Sequence, residues 1–294
     1  MDLDKLRGFY NTAKLGNITK ATTAIHLTQS AISRQIAGLE EDLGVKLFTR
    51  THRQMKLTDS GRILYDFVGR IFDEFSQIEA NIKGDVDSIS GQLKIAATVG
   101  YAETYLPDVL KGFLRKYPNL NVSLLSMDQE VEILLKMADV AIRPKLPETT
   151  GIVQDLLMSN RMRLYASQDY LDQYGVPQQI EDLDKHKLIA FGDHTSHPFH
   201  AINYHLTLGK KAGEVRVPYL QMNSPQTRCN MAQSGFGITP LSEYHYKIQG
   251  EGLVEVLGNL DHPVVDIYFI YPEHMRNYQR IILLRDFLKK QLSN

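Results

Sequence analysis

The segment Thr28-Gln29-Ser30-Ala31-Ile32-Ser33-Arg34-Gln35-Ile36 decides the fold class of this 294-residue chain. Thr28 is a good N-cap and Gly44 a good helix end, so the apolar spacing between them predicts a helix over 29–43. Its apolar face would be buried and comprises Ile32, Ile36, Leu39 and Leu43. Its other face is polar and comprises Gln29, Ser30, Ser33, Arg34 and Gln35.

Two shorter helices are predicted before this segment. The first runs from about Asp4 to Leu15 and ends at Gly16, and the second starts at Thr19 as N-cap. The second would turn Ala21, Ala24 and Ile25 inward, and His26-Leu27 would form a tight turn before Thr28. Two helices joined by a tight turn are typical of a helix-turn-helix unit. Gln can pair with adenine, Arg with guanine, and Ser with a base or a phosphate.

A small hairpin is predicted after the polar helix. The segments 45–50 and 54–57 alternate apolar and polar side chains, and the tip between them is basic. Such a hairpin would be a wing, with Arg50 and Arg53 placed for phosphate or the minor groove. The simpler alternative is a small helical domain whose polar face is merely solvated.

Composition and charge narrow the class of protein. Hydrophobic residues make up 43% and charged residues 23%, which is the balance of a globular protein of two or three domains. No run approaches 18 apolar residues and the N-terminus has no apolar signal region, which favours the cytoplasm. Residues 1–58 hold nine Lys or Arg and five Asp or Glu, whereas the rest hold 24 and 29. A basic head on an acidic body suggests that the head meets a polyanion.

A long helix is predicted from Asp59 to about Lys83, with Thr58 as its N-cap. Apolar residues at steps of three and four form one stripe, namely Leu64, Phe67, Val68, Ile71, Phe72, Phe75, Ile78 and Ile82. A stripe this long needs a partner, either the chain's own body or a second copy. Directly after a DNA-binding head, self-pairing is favoured, and two heads would then meet two half-sites.

The body, from Gln92 onward, alternates strand and helix. The order βαβαβ over 92–143, with a helix at 131–137, indicates a mostly parallel sheet. Later strands are expected at 163–166, 187–190, 219–222, 238–239 and 267–271, and a last helix at 279–292. In such sheets ligands bind at the carboxyl ends of strands. Ser224-Pro225 predicts a helix start whose free N–H groups favour an anion.

The head resembles the N-terminal domain of the LysR-type transcriptional regulators. The resemblance rests on Ala21, Ala24, the run Thr28 to Ile36, Leu39-Glu40, Leu43-Gly44, Leu47-Phe48, Arg50, Arg53 and Leu57-Thr58-x-x-Gly61. Departures are mild: Thr22 stands where the family usually has a second Ala, and Ile25 where Leu is common. In the body, 139–143 is similar to the family's D-x-A-I-R strand and 235–238 to its G-x-G-I turn, while the segment 131–139 is two or three residues shorter than usual.

This resemblance implies an α/β fold class with an N-terminal winged helix-turn-helix domain, a long linker helix and a two-lobed α/β effector domain like periplasmic binding proteins. The expected borders are 1–58 for the DNA-binding domain, 59–84 for the linker, 85–91 for a hinge and 92–294 for the effector domain. Lobe I would cover about 92–160 and 266–294, and lobe II about 161–265.

The resemblance also implies partners and site residues. The partners are double-stranded promoter DNA, RNA polymerase, a small-molecule effector and further copies of the chain, as homodimer or homotetramer. The helix start at Ser224-Pro225 favours an anionic effector. The expected DNA-binding residues are Thr28, Gln29, Ser30, Ser33, Arg34, Gln35, Arg50 and Arg53. The expected effector-binding residues are Thr98, Tyr101, Ser126, Asp128, Asn223 and Ser224, and Arg143 could add a positive charge.

Other chemistry is less favoured. His194, His197, His200 and His205 could bind a metal, but Pro198 interrupts any helix and a solvated loop is the simpler interpretation. Cys229 lacks a resolving partner for redox sensing. The sequence has no G-x-S-x-G elbow, no Walker A loop and no G-x-G-x-x-G after a strand, so no enzyme and no cofactor is expected. A solute-binding module and an architectural DNA-binding protein remain as alternatives.

Overall fold

The computed structural model describes residues 2–50, 55–83, 89–128, 138–192 and 198–292. The chain divides into two compact units, Met1–Val86 and Asp87–Asn294. The wing tip, the expected helix at 131–137 and most of the expected hinge lie outside the described residues. No helix among the described ranges is both long and apolar enough to span a bilayer.

The first unit is a helix-turn-helix followed by a hairpin and a long helix, as predicted. Its elements are α1 (Leu3–Leu15), α2 (Ile18–Ile25), α3 (Gln29–Leu43), β1 (Phe48–Arg50), β2 (Met55–Leu57) and α4 (Asp59–Lys83). The strands β1 and β2 pair antiparallel. Gly16 and Gly44 end α1 and α3 in the left-handed conformation, with φ of 65° and 67°.

Three local predictions in this unit were wrong. The N-cap of α2 is Asn17, not Thr19, because the Asn17 amide oxygen accepts the Thr19 N–H at 2.7 Å. Ala24 and Leu43 are exposed rather than buried, while Ala21, Ile32, Ile36 and Leu39 are buried as predicted. Helical spacing alone places these two residues on the apolar stripe, but each lies in the last turn of its helix.

The apolar stripe of α4 is partly buried against the head and partly exposed. Val68 is fully buried, and Leu64, Tyr65 and Phe72 pack against the same small core of the first unit. The Tyr10 ring of α1 stacks on Tyr65 with centroids 4.9 Å apart. Ile63, Phe67 and Phe75 remain exposed, by 73%, 44% and 52%. Part of the stripe therefore anchors α4 to the head, whereas Phe67 and Phe75 of the same stripe remain exposed.

The first half of the second unit is the expected parallel sheet. Strands β3 (Gly91–Ala97), β4 (Leu120–Ser126) and β5 (Val140–Pro144) run parallel, with β3 in the middle. The helices α5 (Val99–Glu103) and α6 (Leu106–Lys116) follow β3. On α6, Leu106, Val109, Leu110 and Phe113 are buried, which is the apolar face that the sequence predicts.

The second half is joined to the first by one long strand. Strand β6 (Ile152–Ser167) pairs with β11 (Val264–Pro272) along its first part and with β9 (Thr239–Ser242) and β10 (Leu253–Val256) along its last. The short strands β7 (Ile189–Ala190) and β8 (Leu220–Gln221) pair parallel beside it. The other α-helices in the described ranges are α7 (Gln168–Tyr174), α8 (Tyr204–Thr207), α9 (Pro225–Gln233), α10 (Glu243–Gln249) and α11 (Gln279–Leu292).

The sequence predicted only the end of β6, at 163–166, and placed a lobe border within it. Polar residues in its first part, such as Gln154 and Asp155, hide the alternation that marks a strand. The strand still forms because β11 pairs with its first part, over 152–161, and β9 and β10 pair with its last part, over 162–167.

Candidate nucleic-acid interface and ligand cleft

The polar face of α3 begins directly after a capped turn. His26 adopts the left-handed conformation with φ of 54°, and Thr28 then caps α3 by accepting the Ala31 N–H at 3.2 Å. After this turn, one face of the first two turns of α3 is polar and exposed, while Ile32 on the opposite face is buried. The side chains of Thr28, Gln29, Ser30 and Arg34 are exposed, and Ser33 is partly exposed. These donors and acceptors suit the edges of bases in a major groove.

Gln35 differs from its neighbours on α3. Its side-chain carbonyl oxygen is buried against Gly8 of α1 and has no hydrogen-bond partner among the described residues. Gly8 has no Cβ, and this is why the Gln35 side chain can approach α1 so closely. This oxygen is directed into the packing between α1 and α3, so only the NH₂ group of Gln35 is left for the predicted DNA contact.

The wing is fastened to the end of α3 by one carboxylate. Glu40 Oε1 accepts the backbone N–H groups of Leu47, at 2.9 Å, and of Phe48, at 3.4 Å, and Oε2 accepts Lys46 Nζ at 2.6 Å. Partial burial alone would raise the pKa of Glu40, but these hydrogen bonds hold it below its usual 4.5. The side chain of Arg50 and all of Arg53 lie outside the described residues.

A cleft lies between the two halves of the second unit. The space between its walls is about 670 Å³, with the opening to solvent included. One wall includes Thr98, Gly100, Tyr101, Thr104 and Asp128. The other includes Phe199, Arg228, Leu241, Tyr244 and His245, and the crossing strands β6 and β11 form the floor through Met162, Val265 and Ile267. Of the six predicted effector residues, Thr98, Tyr101 and Asp128 line this cleft, whereas Ser126, Asn223 and Ser224 do not.

The first N–H group of α5 is hydrogen-bonded to a carboxylate of the chain itself. Thr98 makes no side-chain cap, and Asp128 Oδ1 instead accepts the Val99 N–H at 3.2 Å. Close by, Tyr101 Oη accepts a hydrogen bond from Asn160 Nδ2 at 3.2 Å. Burial raises the pKa of the Tyr101 phenol, so it stays protonated and can donate to a ligand.

The corner at Ser224 is also occupied by the chain itself. Ser224 Oγ caps α9 by accepting the Thr227 N–H at 3.4 Å, and it donates to Glu103 Oε2 at 3.3 Å. A carboxylate at this helix start repels a second anion. The sequence-based expectation that the Ser224 corner attracts an anionic ligand is therefore corrected by the position of Glu103.

The positive charge of the cleft comes from a residue that the sequence analysis missed. Arg228 is only 2% exposed, and burial lowers the pKa of its guanidinium to about 10 while Asp128 opposes that shift. It lies four residues after Ser224 on α9, so helical spacing was the available signal. Arg143, the residue suggested for this role, is buried in β5 and is not part of the cleft wall.

The histidine cluster does not gather at one point within the described part of the chain. His200 is exposed, whereas His205 is fully buried. His194 and His197 lie outside the described residues. Among the residues that the structure describes, no group of three His, Cys, Asp or Glu side chains is placed to hold a metal ion.

Both units of the chain match models of known protein families. Residues 3–62 match the model for the bacterial regulatory helix-turn-helix proteins of the LysR family, and residues 87–293 match the LysR substrate-binding domain. One relative is the uncharacterized HTH-type transcriptional regulator YhjC of Escherichia coli, 28% identical over 97% of each chain.

Solved structures lead to the same family. The LysR-type regulator CrgA of Neisseria meningitidis is 26% identical and covers all of both chains, with a TM-score of 0.62. CbnR, solved with its target DNA, shares the fold at 20% identity and a TM-score of 0.59, over 99% of this chain and 100% of its own. YhjC and CrgA are named as transcriptional regulators, and the two family matches together cover most of the sequence. The chain belongs to the LysR family of transcriptional regulators.

Proposed function

We propose that this protein reads a promoter through α3 and the wing and adjusts that contact when a small molecule enters the cleft. The observation that carries the proposal is the exposed polar face of α3, directly after a capped turn and within the basic part of the chain. Thr28, Gln29, Ser30, Ser33 and Arg34 are assigned to this contact, with Arg50 and Arg53 of the wing on phosphate or the minor groove. A protein with this fold, CbnR, has been solved with its target DNA.

The cleft is assigned to a small-molecule effector, with Thr98, Tyr101 and Asp128 among its contacts. A ligand that touches both walls binds one arrangement of the two halves better than another, and this differential affinity is what shifts the DNA-bound state. Self-association through α4 would bring two heads to two half-sites, as a dimer or a tetramer. Such a regulator would act in the cytoplasm and would exert its effect on RNA polymerase.

The experiment that tests the DNA contact uses Arg34→Ala and a footprint on the DNA upstream of the protein's own gene. Loss of a bidentate contact to one base should cost about 1–3 kcal/mol and relax specificity at that base pair. Arg115→Ala, which removes an exposed arginine from α6 in the second unit, is the matched control. The control should leave the footprint unchanged.

Unchanged affinity and unchanged base preference in Arg34→Ala would contradict the assignment of α3 as the recognition helix. Uniformly weaker binding to every sequence, with a smaller salt slope, would instead mean that Arg34 contacts only phosphate. The footprint of the wild-type protein also separates the proposal from a stand-alone solute-binding module, because that protein would protect no DNA at low salt.

A further inference from the structure

Arg228 is a buried cation that faces the cleft. Its side chain is 2% exposed, its Nη1 donates to the Pro240 carbonyl at 3.1 Å, and its guanidinium lies over the Phe191 ring at 5.8 Å from the centroid. Its Nε is buried and has no hydrogen-bond partner among the described residues. A buried charge with an unsatisfied donor is costly unless another group completes it.

No carboxylate in the described ranges forms a salt bridge with Arg228. Asp128 is close enough to stabilise the charged guanidinium, but no carboxylate of the described residues comes within 4.0 Å of it. Asp128 also already accepts the Val99 N–H through Oδ1. The cleft therefore keeps a positive charge on the wall formed by α9.

His245 supplies a second group on the same wall. It is 4% exposed, it lines the cleft, and its Nε2 is buried without a partner among the described residues. Burial, together with the positive charge of Arg228, lowers the pKa of His245 to about 4, so the ring is neutral at pH 7. A neutral imidazole donates one hydrogen bond and can complement an acceptor held by Arg228.

The rest of the cleft is apolar or aromatic. Met162, Phe199, Ile202, Leu241, Val265 and Ile267 contribute carbon surface, and Tyr101 and Tyr244 contribute rings. Such walls favour a ligand with an apolar body and a few polar groups. The Asp128 carboxylate on the opposite wall disfavours a second negative charge on that ligand.

We infer that Arg228 and His245 form the seat for the carboxylate of a monoanionic effector whose body is apolar or aromatic. This inference rests on the proposed function, since it names the chemical class of the effector and the residues that select it. A carboxylate between the two side chains would accept from Arg228 Nε and from His245, and so would satisfy both buried groups at once. Neither residue was among those that the sequence or the resemblance singled out.

The test measures binding to the full-length protein by calorimetry. The probes are benzoate, phenylacetate and 4-methylpentanoate, each paired with its uncharged amide, and phthalate as an aromatic dianion. At least one monocarboxylate should bind at least about tenfold more tightly than its amide, because the bond to Arg228 is charge-assisted. Phthalate should bind more weakly than benzoate. Absence of binding by every monocarboxylate, or equal binding of acid and amide, would overturn the inference.

Variants then locate the seat. Arg228→Gln should remove the preference for acid over amide, and Arg228→Lys should keep part of it, since lysine preserves the charge without the planar fork. His245→Phe should weaken the acid several-fold, because the carboxylate loses one of its two donors. Arg115→Gln, on the exposed surface of α6, is the control and should change neither. Retention of the full acid preference in a folded Arg228→Gln protein would overturn the assignment.

A footprint with and without the best probe separates this inference from the proposed function. DNA protection that responds to uncharged compounds, with no acid preference, would contradict the carboxylate seat and leave the regulator intact. Acid-selective binding that depends on Arg228, in a protein that protects no DNA, would support the seat and contradict the regulator.

Discussion

At the scale of single residues, Gly61 shows how closely the wing and the linker helix approach. It lies in the first turn of α4, where Thr58 Oγ1 accepts its N–H at 3.0 Å. A Cβ at this position would collide with the backbone carbonyl of Leu47, which cannot move aside as a flexible side chain could. Thr58 also connects α4 to the chain before the wing, because its Oγ1 donates to the Lys46 carbonyl at 2.7 Å. The glycine of the L-T-x-x-G pattern is thus required by a backbone contact.

Gly61→Ala should destabilise the first unit by about 1–3 kcal/mol, as overpacking does in other proteins. The measurement is differential scanning calorimetry of the full chain, in which the transition of the first unit should move to lower temperature. Gly44→Ala offers a contrast, because a Cβ there meets open space and the cost is only that of its left-handed backbone. An equal or larger loss in Gly44→Ala would contradict the backbone clash.

His245 should make the second unit sensitive to acid. Its pKa is about 4 in the folded protein and about 6.5 in an unfolded chain, so the folded state binds fewer protons. Its contribution is therefore complete above pH 6.5 and is lost as the pH falls from 6.5 towards 4, by about 3 kcal/mol at most. Unfolding midpoints of the second unit between pH 7 and 4 should show this loss, and His245→Gln should reduce it. His274→Gln, on an exposed histidine, should leave the profile as in the wild type.

At the scale of elements, the wing depends on Glu40 more than on its own two short strands. Three donors converge on this carboxylate, two of them backbone N–H groups that lead into β1. A two-stranded hairpin is marginal by itself, so the anchor to α3 fixes where the wing lies. Helix α3 and the described strands of the wing are thereby held together.

Glu40→Ala should destabilise the first unit by about 1.5–3 kcal/mol, the range for hydrogen bonds to a charged group. The folded pKa lies below 4.5, so the contribution of the wild-type carboxylate is complete above pH 4.5 and is lost as the pH falls further. Urea unfolding of the first unit at pH 7 and at lower pH measures both effects. Glu41→Ala, the exposed neighbour, is the control. A stability loss in Glu40→Ala that is unchanged at low pH would contradict the role of the charge.

Helices and their ends were predictable because their signals are local. Thr28, Gly44 and Thr58 fix α3 and α4 to the residue, and α11 has the predicted bounds of Gln279–Leu292. Strand β6 was not predictable in full, since its partners lie about 100 residues away in β11 and 90 in β10. The cleft was predicted only in part for the same reason: Thr98 and Asp128 follow strand ends, whereas Arg228 and His245 reach the cleft through tertiary packing.

At the scale of the whole molecule, self-association should depend on the outward side of α4. Phe67 and Phe75 lie eight residues apart on this helix and are 44% and 52% exposed, while Val68 between them is buried in the head. Large exposed apolar groups along one helix are typical of an interface. The head packing and the pairing surface are therefore separable by mutation.

The double variant Phe67→Ser/Phe75→Ser should weaken self-association at least tenfold and leave the unfolding of the first unit nearly unchanged. Sedimentation velocity over a concentration series measures this, and DNA affinity should fall with it because half-sites are then bound singly. Val217→Ser, at a 90% exposed valine of the second unit, is the control. Unchanged sedimentation of the double variant would contradict pairing through α4.

Because β6 and β11 are the strands that connect the two halves of the second unit, the second half is a segment whose two ends lie side by side. The chain leaves the first half at Met162 and returns at Pro263, and the Met162 N–H donates to the Pro263 carbonyl at 2.8 Å. An insert whose ends are adjacent can be exchanged with little strain on the host sheet. Recombination between relatives at these two junctions could therefore carry residues 162–263, with Arg228 and His245, into a new regulator without altering its head. One wall of the cleft can in this way change while the head stays the same.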